Sequence, residues 1–377
     1  MLRVKKRPRI YDEGQYHVFG EQPNILEIRI GYALIPLVDK TVDAPLMKEL
    51  QYLRNQFDAE YGLPTPPIRI CDDIKLNPYQ YSFYIHGTEV ATADEVAKPG
   101  YYLCMDTGYV DEPVDCKLFK NVKDPAFDMD GFLVPEEEIK DFNSRGYVCV
   151  EPENVIKAHL HETIRKNITR ILNQSMVNNL IDKVRGTNPD VIADVFFTKD
   201  FPISDMKILL NRLLSEEISI RDMNTILETI AEYLNEERNP IKLAEKVREH
   251  LAYNFVQSYA DNNKVVHIFR LSEKLNDFLS ENIYTPKSKI EIPYFSLKSD
   301  VNRKLAAKIS KAISESKITE RGYCPVFACI SDLRIPLAEH IHFYLPGVKI
   351  VSDKELYAVN KDLSFKIEGE ISLDEEE

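Results

Sequence analysis

Between Pro152 and Ala260 apolar residues recur only at helical spacing, whereas both flanks mix strand-like alternation with helices. One hydrophobic core cannot serve such a chain, so several packed units are expected. Ile156, Leu160, Ile164, Ile168 and Leu172 form one stripe behind Pro152, a residue suited to a first helical turn. Shorter helices are expected around 175–185, 190–197 and 204–215. Ser219 and Asp222 give a capping-box-like start to a helix from Arg221 to Leu234, and Asn239-Pro240 opens another to about Ala260. These stripes read as the core of a helical bundle.

Upstream, Ile25–Ile30 alternates as a half-buried strand, and Leu46, Leu50, Leu53 and Phe57 mark a helix from about Ala44 to Tyr61 that stops at Gly62. Tyr81–Ile85, His86-Gly87 and Thr88–Val90 read as a hairpin. Residues 98–151 are strand-rich and punctuated by Gly, Pro and Asp, which suggests a small separate lobe. After Asn262 strands and helices alternate: a strand at 265–269, a helix capped by Ser272, a helix over about 297–315, a buried strand at 325–330, a helix capped by Ser331 and a strand at 348–351. That order predicts a C-terminal α/β unit. The fold class expected is α+β and multi-domain.

Several function classes are excluded by composition. A net charge of −13 over 377 residues argues against a nucleic-acid binder, which needs clustered basic residues against phosphate. Arg3, Lys5, Lys6, Arg7 and Arg9 crowd the start instead, in an aperiodic arm over residues 1–23, and Asp374–Glu377 reads as a solvated acidic tail. No run approaches the ~20 apolar residues that cross a bilayer, and no secretory signal opens the chain. The six cysteines are scattered without a CxxC pair; free thiols in a reducing cytosol are the expectation.

The search for chemistry yields no catalytic residue, cofactor or metal site. The glycines, 13 in all, fall in neither GxGxxG nor GxxxxGK[ST] spacing, and GxSxG and HExxH are missing. His159/His161 and His340/His342 lie at i and i+2 in expected helices, so each pair diverges. Asp72-Asp73 and Glu136–Glu138 are acid clusters without a nucleophile or metal partner in sequence, and they read as solvated charge.

Four stretches carry a resemblance: Leu26–Asp39, Lys123-Asp124-Pro125-Ala126-Phe127, Ala158-His159-Leu160 and Ser219–Thr229. Together they resemble the cytosolic region of the FlhA/InvA family of export-gate proteins in flagellar and virulence type III secretion. The resemblance covers nearly the whole chain after residue 24, and Asp-Pro-Ala-Phe with Ala-His-Leu favours the flagellar branch. It implies a linker at 1–23, a split α/β subdomain 1 at 24–98 plus 152–172, an inserted subdomain 2 at 99–151, a helical subdomain 3 at 173–260 and an α/β subdomain 4 at 261–373. By the same resemblance the chain sits on the cytoplasmic side of the bacterial inner membrane, its membrane contact confined to a missing N-terminal region. It would assemble as a homo-oligomeric, nonameric ring that receives export chaperone–substrate complexes and meets other export-apparatus proteins.

Carried over residue by residue, the family's chaperone-docking residues fall on Asp124, Phe127 and position 158, where this sequence has Ala158 in place of the usual Thr. Ile70-Cys71-Asp72-Asp73 is a second departure, where relatives commonly show Arg then Asp-Asn. The alternative for Phe127 and Asp124 is a core phenylalanine and a turn-starting acid. Tyr11, Tyr16 and Phe19 of the linker are candidate subunit contacts. The rival functions are a virulence-branch homologue that binds a gatekeeper and effector chaperones, and an enzyme built on Asp72/Asp73.

Overall fold

Leu26, Ile28 and Ile30 turn inward from their strand while Glu27 and Arg29 stay half-buried, the period-2 pattern of a sheet with one covered face. The computed structural model describes residues 10–11, 24–108, 110, 119–288 and 291–372. The chain divides into two compact units, residues 1–173 and 174–377.

The first unit contains β1 (Ile10–Tyr11), β2 (Leu26–Ile30), α1 (Pro45–Tyr61), β3 (Ile68–Asp72), β4 (Tyr81–Ile85) and β5 (Thr88–Ala93). They form one mixed sheet in the order β1-β3-β2-β4-β5. β2 and β3 run parallel, which requires the crossover that α1 supplies, and the other pairs are antiparallel. His86 and Gly87 take φ of 50° and 76° in the β4–β5 turn, the geometry of a two-residue hairpin. Gly62, at φ 71°, closes α1.

A second sheet, β7-β8-β6-β9, is wholly antiparallel and comprises β6 (Tyr101–Met105), β7 (Lys120–Lys123), β8 (Asp130–Pro135) and β9 (Val148–Val150). With α2 (Ile139–Ser144) it encloses a small core of Cys104, Val134, Phe142 and Tyr147. The chain then enters α3 (Pro152–Lys166) and α4 (Ile168–Ile171).

Two expectations change here. Cys104 and Cys149 are joined as a disulfide, whereas Cys71, Cys324 and Cys329 are free. The pair is invisible to spacing because it is made by register: the two residues stand opposite each other on β6 and β9. Residues 10–11 of the expected linker pair with Ile70 and Cys71 as an edge strand. The side chain of Tyr11, and Tyr16, Phe19 and the acidic tail 374–377 altogether, lie outside the described residues.

The second unit opens with helices α5 (Gln174–Arg185), α6 (Pro189–Ile192), α7 (Ile203–Ser215), α8 (Met223–Tyr233) and α9 (Pro240–Phe255). α6 continues as a π-helical turn over Ala193–Thr198. The start of α8 differs from the expected capping box: Asp222 alone is the cap, accepting the Thr225 N–H, while Ser219 Oγ accepts the Arg221 N–H. Asn239 caps α9 as its position suggests.

Beyond these come β10 (Val265–Leu271), α10 (Glu273–Glu281), β11 (Ile283–Tyr284), β12 (Tyr294–Phe295), α11 (Ser299–Ser316), β13 (Val326–Cys329), α12 (Ser331–Tyr344), β14 (Lys349–Ser352), α13 (Asp353–Val359) and β15 (Ser364–Ile371). β14-β13-β10-β15 form a parallel sheet, the arrangement implied by strands alternating with helices. Ser331 does not cap α12; its hydroxyl donates to Asp353.

Charge sits at the centre of this unit. Arg334, with no exposed side-chain surface, donates to Glu216 at 2.6 and 3.2 Å and to Glu245. Arg248 donates to Glu216 at 2.6 Å, to Glu355 at 2.7 Å and to the Ile350 carbonyl at 3.3 Å. Arg212 pairs with Glu216 at 2.6 Å and with Glu339. Burial pushes the Glu216 carboxyl up, but the Arg334, Arg248 and Arg212 guanidiniums outweigh it and hold the group well below its ordinary range.

Glu216→Gln leaves three buried guanidiniums short of a counter-charge and should lower stability by about 3–5 kcal/mol, read as a lower urea midpoint. A depressed folded-state pKa gives stability that is full above the unfolded value and lost as pH falls. The wild type should therefore lose stability below about pH 4.5, with a shallower loss in the variant. A variant as stable as wild type would show that the network contributes nothing.

Candidate functional site

The turn between β7 and β8 is built by one carboxylate. Asp124 is buried; its Oδ2 accepts the Phe127 N–H at 2.9 Å, its backbone carbonyl accepts the Asp128 N–H at 2.9 Å, and its own N–H donates to the Met129 carbonyl at 2.8 Å. Pro125 follows with its φ preset, and Asp128 takes φ 58° to close the turn. Phe127 is thereby held outward, 63% exposed. A phenylalanine of the lobe's core would be covered, so the core reading of this residue is set aside. The turn-starting role of Asp124 is present as geometry: the acid faces inward and positions its neighbour. Burial pushes its carboxyl above the usual range, against the opposing effect of the Phe127 and Ala126 N–H groups.

Tyr81 of β4 is fully buried. Burial raises its phenol well above the ordinary value, and the Asp124 charge adds to the effect. The Tyr81 hydroxyl and His159 Nδ1 share a 3.1 Å hydrogen bond, and the His159 ring packs against Tyr81 and Phe83 with centroids 5.7 and 5.0 Å away. Burial, helped by the Lys166 charge, pulls His159 down to about 4, so the imidazole is neutral near pH 7. Ala158, half-buried, precedes it on α3. Tyr81 thus bonds the His159 that follows Ala158 and feels the Asp124 charge; sequence reading did not single it out. Its signal was an aromatic in a β4 strand that is inward-facing at nearly every position.

The other candidates stay apart from this turn. Asp73 accepts the Lys75 N–H at 3.0 Å and lies 3.7 Å from Arg29, at the end of β3. His161 packs on Phe57, and His342 bonds the Val348 carbonyl at 2.9 Å. Among the described residues no group of three or more His, Cys, Asp or Glu is arranged to hold a metal ion, and no helix is long and apolar enough to cross a membrane.

The FHIPEP family profile matches residues 12–361. The flagellar biosynthesis protein FlhA of Treponema pallidum is 31% identical over 352 residues, 93% of this chain and 48% of that protein. FlhA of Salmonella typhimurium is 27% identical over 331 residues, 88% of this chain and 46% of its own length. The chain therefore spans about half the length of the curated relatives it matches. Among solved structures, the CdsV protein of Chlamydia pneumoniae is similar with a TM-score of 0.77 at 20% identity, over 94% of this chain and 99% of that one. The nonameric SctV-C of EPEC gives 0.72 at 16% identity, over 94% and 100%. At such identities the likeness establishes the α+β multi-domain fold alone.

His159 offers a pH test of this frame. A folded-state pKa near 4 against an ordinary 6.5 means that the unfolded chain binds the extra proton between those values. Stability is full above 6.5 and falls as pH drops toward 4, by about 3 kcal/mol. Protection factors of α3 amides, corrected for the pH dependence of intrinsic exchange, should fall over that window in wild type and stay level in His159→Gln. The same pH slope in both proteins would remove His159 from the account.

Proposed function

The chain belongs to the FHIPEP family, and on that premise we propose that it is the cytosolic docking platform of a type III protein-export gate, of the flagellar branch, which receives chaperone–substrate complexes for export. The observation that carries this reading is the exposed Phe127 on a turn locked by buried Asp124. An aromatic already fixed in its bound position loses little entropy on docking and serves as an interface anchor. The flagellar choice is supported by relatives at 31% and 27% identity that carry flagellar names. The virulence-system structures share the fold at lower identity, and nothing in this turn favours their partners.

Assembly as a ring is supported by the nonameric form of similar cytosolic domains. We read the two units as four subdomains, residues 24–98 with 152–172, 99–151, 173–260 and 261–373, the docking turn being on the second. Membrane attachment would come from sequence preceding this region in the longer relatives. Ala158, beside the buried His159, offers a methyl group where a Thr hydroxyl would offer a hydrogen bond, so the partner face at this position is apolar.

Calorimetric titration with a purified chaperone–substrate pair from the same organism tests the reading. Phe127→Ala should weaken binding by about 10-fold or more, while its exposure keeps the change in stability within about 0.5 kcal/mol. Ala158→Thr should alter affinity without unfolding. Wild type that fails to bind, or Phe127→Ala that binds as wild type does, would sink the docking role.

A further inference from the structure

Cys104 lies on β6, between β8 and β9, opposite Phe132 on one side and Cys149 on the other. The Cα atoms of Cys104 and Cys149 are 4.0 Å apart, close to the narrow cross-strand spacing of an antiparallel pair, about 4.5 Å. The sheet register itself therefore holds the two sulfurs face to face, whether or not they are bonded. Their surroundings are unequal. Cys104 is wholly buried beside Val134, Phe142 and Tyr147, whereas Cys149 is half-buried at the lobe's margin. Position matters too. Cys149 precedes by three residues the Pro152 that begins α3, and β8 leads back to the Phe127 turn. The covalent link thus ties the strand feeding α3 to the sheet bearing that turn.

We propose that Cys104 and Cys149 are a reversible thiol–disulfide modification site, exchanging with a low-molecular-weight thiol couple of the glutathione class and setting how firmly the start of α3 is held to the inserted sheet. In the reducing direction an external thiolate attacks Cys149 Sγ, the more accessible sulfur. A mixed disulfide forms at Cys149 and Cys104 leaves as a thiolate, which takes up a proton. A second external thiolate attacks the outer sulfur of the mixed disulfide, releasing the external disulfide and the Cys149 thiol. Two electrons and two protons enter the protein, and two external thiols become one disulfide. In the oxidising direction the same steps reverse, and the preset pairing makes closure intramolecular. The remaining described cysteines are poorer participants: burial pushes the Cys71 thiol up to about 11 and raises those of Cys324 and Cys329 as well.

This inference stands apart from the docking reading, and only its last test arm rests on that reading. The full chain is equilibrated in glutathione buffers from reducing to oxidising, acid-quenched, alkylated after unfolding and mapped by mass spectrometry. Cys104 and Cys149 should lose alkylation together in one two-electron transition, while Cys71 and Cys329 stay alkylated throughout. Alkylation of both at every ratio, or a bond from Cys104 to another cysteine, would overturn the site.

Hydrogen exchange of the amides over 148–155 should be about 10-fold slower in the oxidised form, and Cys149→Ser should exchange as reduced wild type does. Identical profiles in the two redox forms would overturn the coupling to α3. The exchange comparison on wild type decides this even where the variant fails to fold. Chaperone–cargo affinity is then measured in both forms. A difference supports control of docking, equal affinities overturn that control alone, and no binding in either form refutes the docking reading while the mass and exchange results stand.

Discussion

A guanidinium cannot shed its proton inside a protein, so Arg334, with none of its side chain exposed, obliges the rest of the second unit to supply carboxylates at fixed positions. They come from three places: Glu216 just after α7 and Glu245 on α9 meet Arg334 of α12 directly, and Glu355 on α13 joins through Arg248 of α9, which also pairs with Glu216. Glu355 is used twice, accepting Arg248 with one oxygen and the Ser352 N–H with the other, so the cap of α13 and the charge network are one device. Arg212 and the partly exposed Glu339 extend it toward solvent. Such a network contributes less net stability than its ion pairs suggest, because each charge first loses its water. Its effect is selective: an arrangement of helices that separated these groups would strand a buried charge, at a cost of several kcal/mol. That penalty fixes the helical segment and the parallel sheet in one packing.

The strongly shifted groups therefore mark structure more than reactivity. Shifted pKa values often flag functional sites, but structural ion-pair networks shift them as well. Glu216 is enclosed by three arginines, and Tyr81 and His159 are shifted by simple burial. In neither place is a reactive group turned toward an open cleft. In the first unit the same buried-acid logic operates on a smaller scale, where Asp124 is spent on holding a turn.

Much of the architecture was legible because it rests on local signals. The change from alternating to helical periodicity at Pro152, the His86-Gly87 turn, Gly62 after α1 and the Asn239 and Ser272 caps each act within a few residues, and each lies where its sequence pattern places it. Gly31, within the longest stretch of family resemblance, also has a reason that only the fold displays: a Cβ there would collide with the Asn77 and Pro78 carbonyls. What escaped sequence reading was non-local. The Cys104–Cys149 bond depends on strand register, the Arg334 network joins residues more than a hundred positions apart, such as Glu216 at 118, and the Tyr81–His159 bond joins a sheet to a helix across 78 positions. Of the candidate site, the residue names came from resemblance; that Phe127 faces out and Asp124 faces in came from the turn's hydrogen bonds.

An exposed aromatic carries a risk of unspecific contact. Here that risk is limited by geometry. Phe127 projects from a tight turn, and the Lys123–Asp128 ion pair at 3.1 Å places opposite charges at its two ends. On the docking reading, a partner would have to match a single ring on a held turn framed by charge, which selects shape before affinity. Asp124 is turned inward, so on that reading the polar part of recognition falls to other groups. Ala158 offers no hydroxyl, so the same reading leaves discrimination chiefly to the fit of an apolar pocket around one ring.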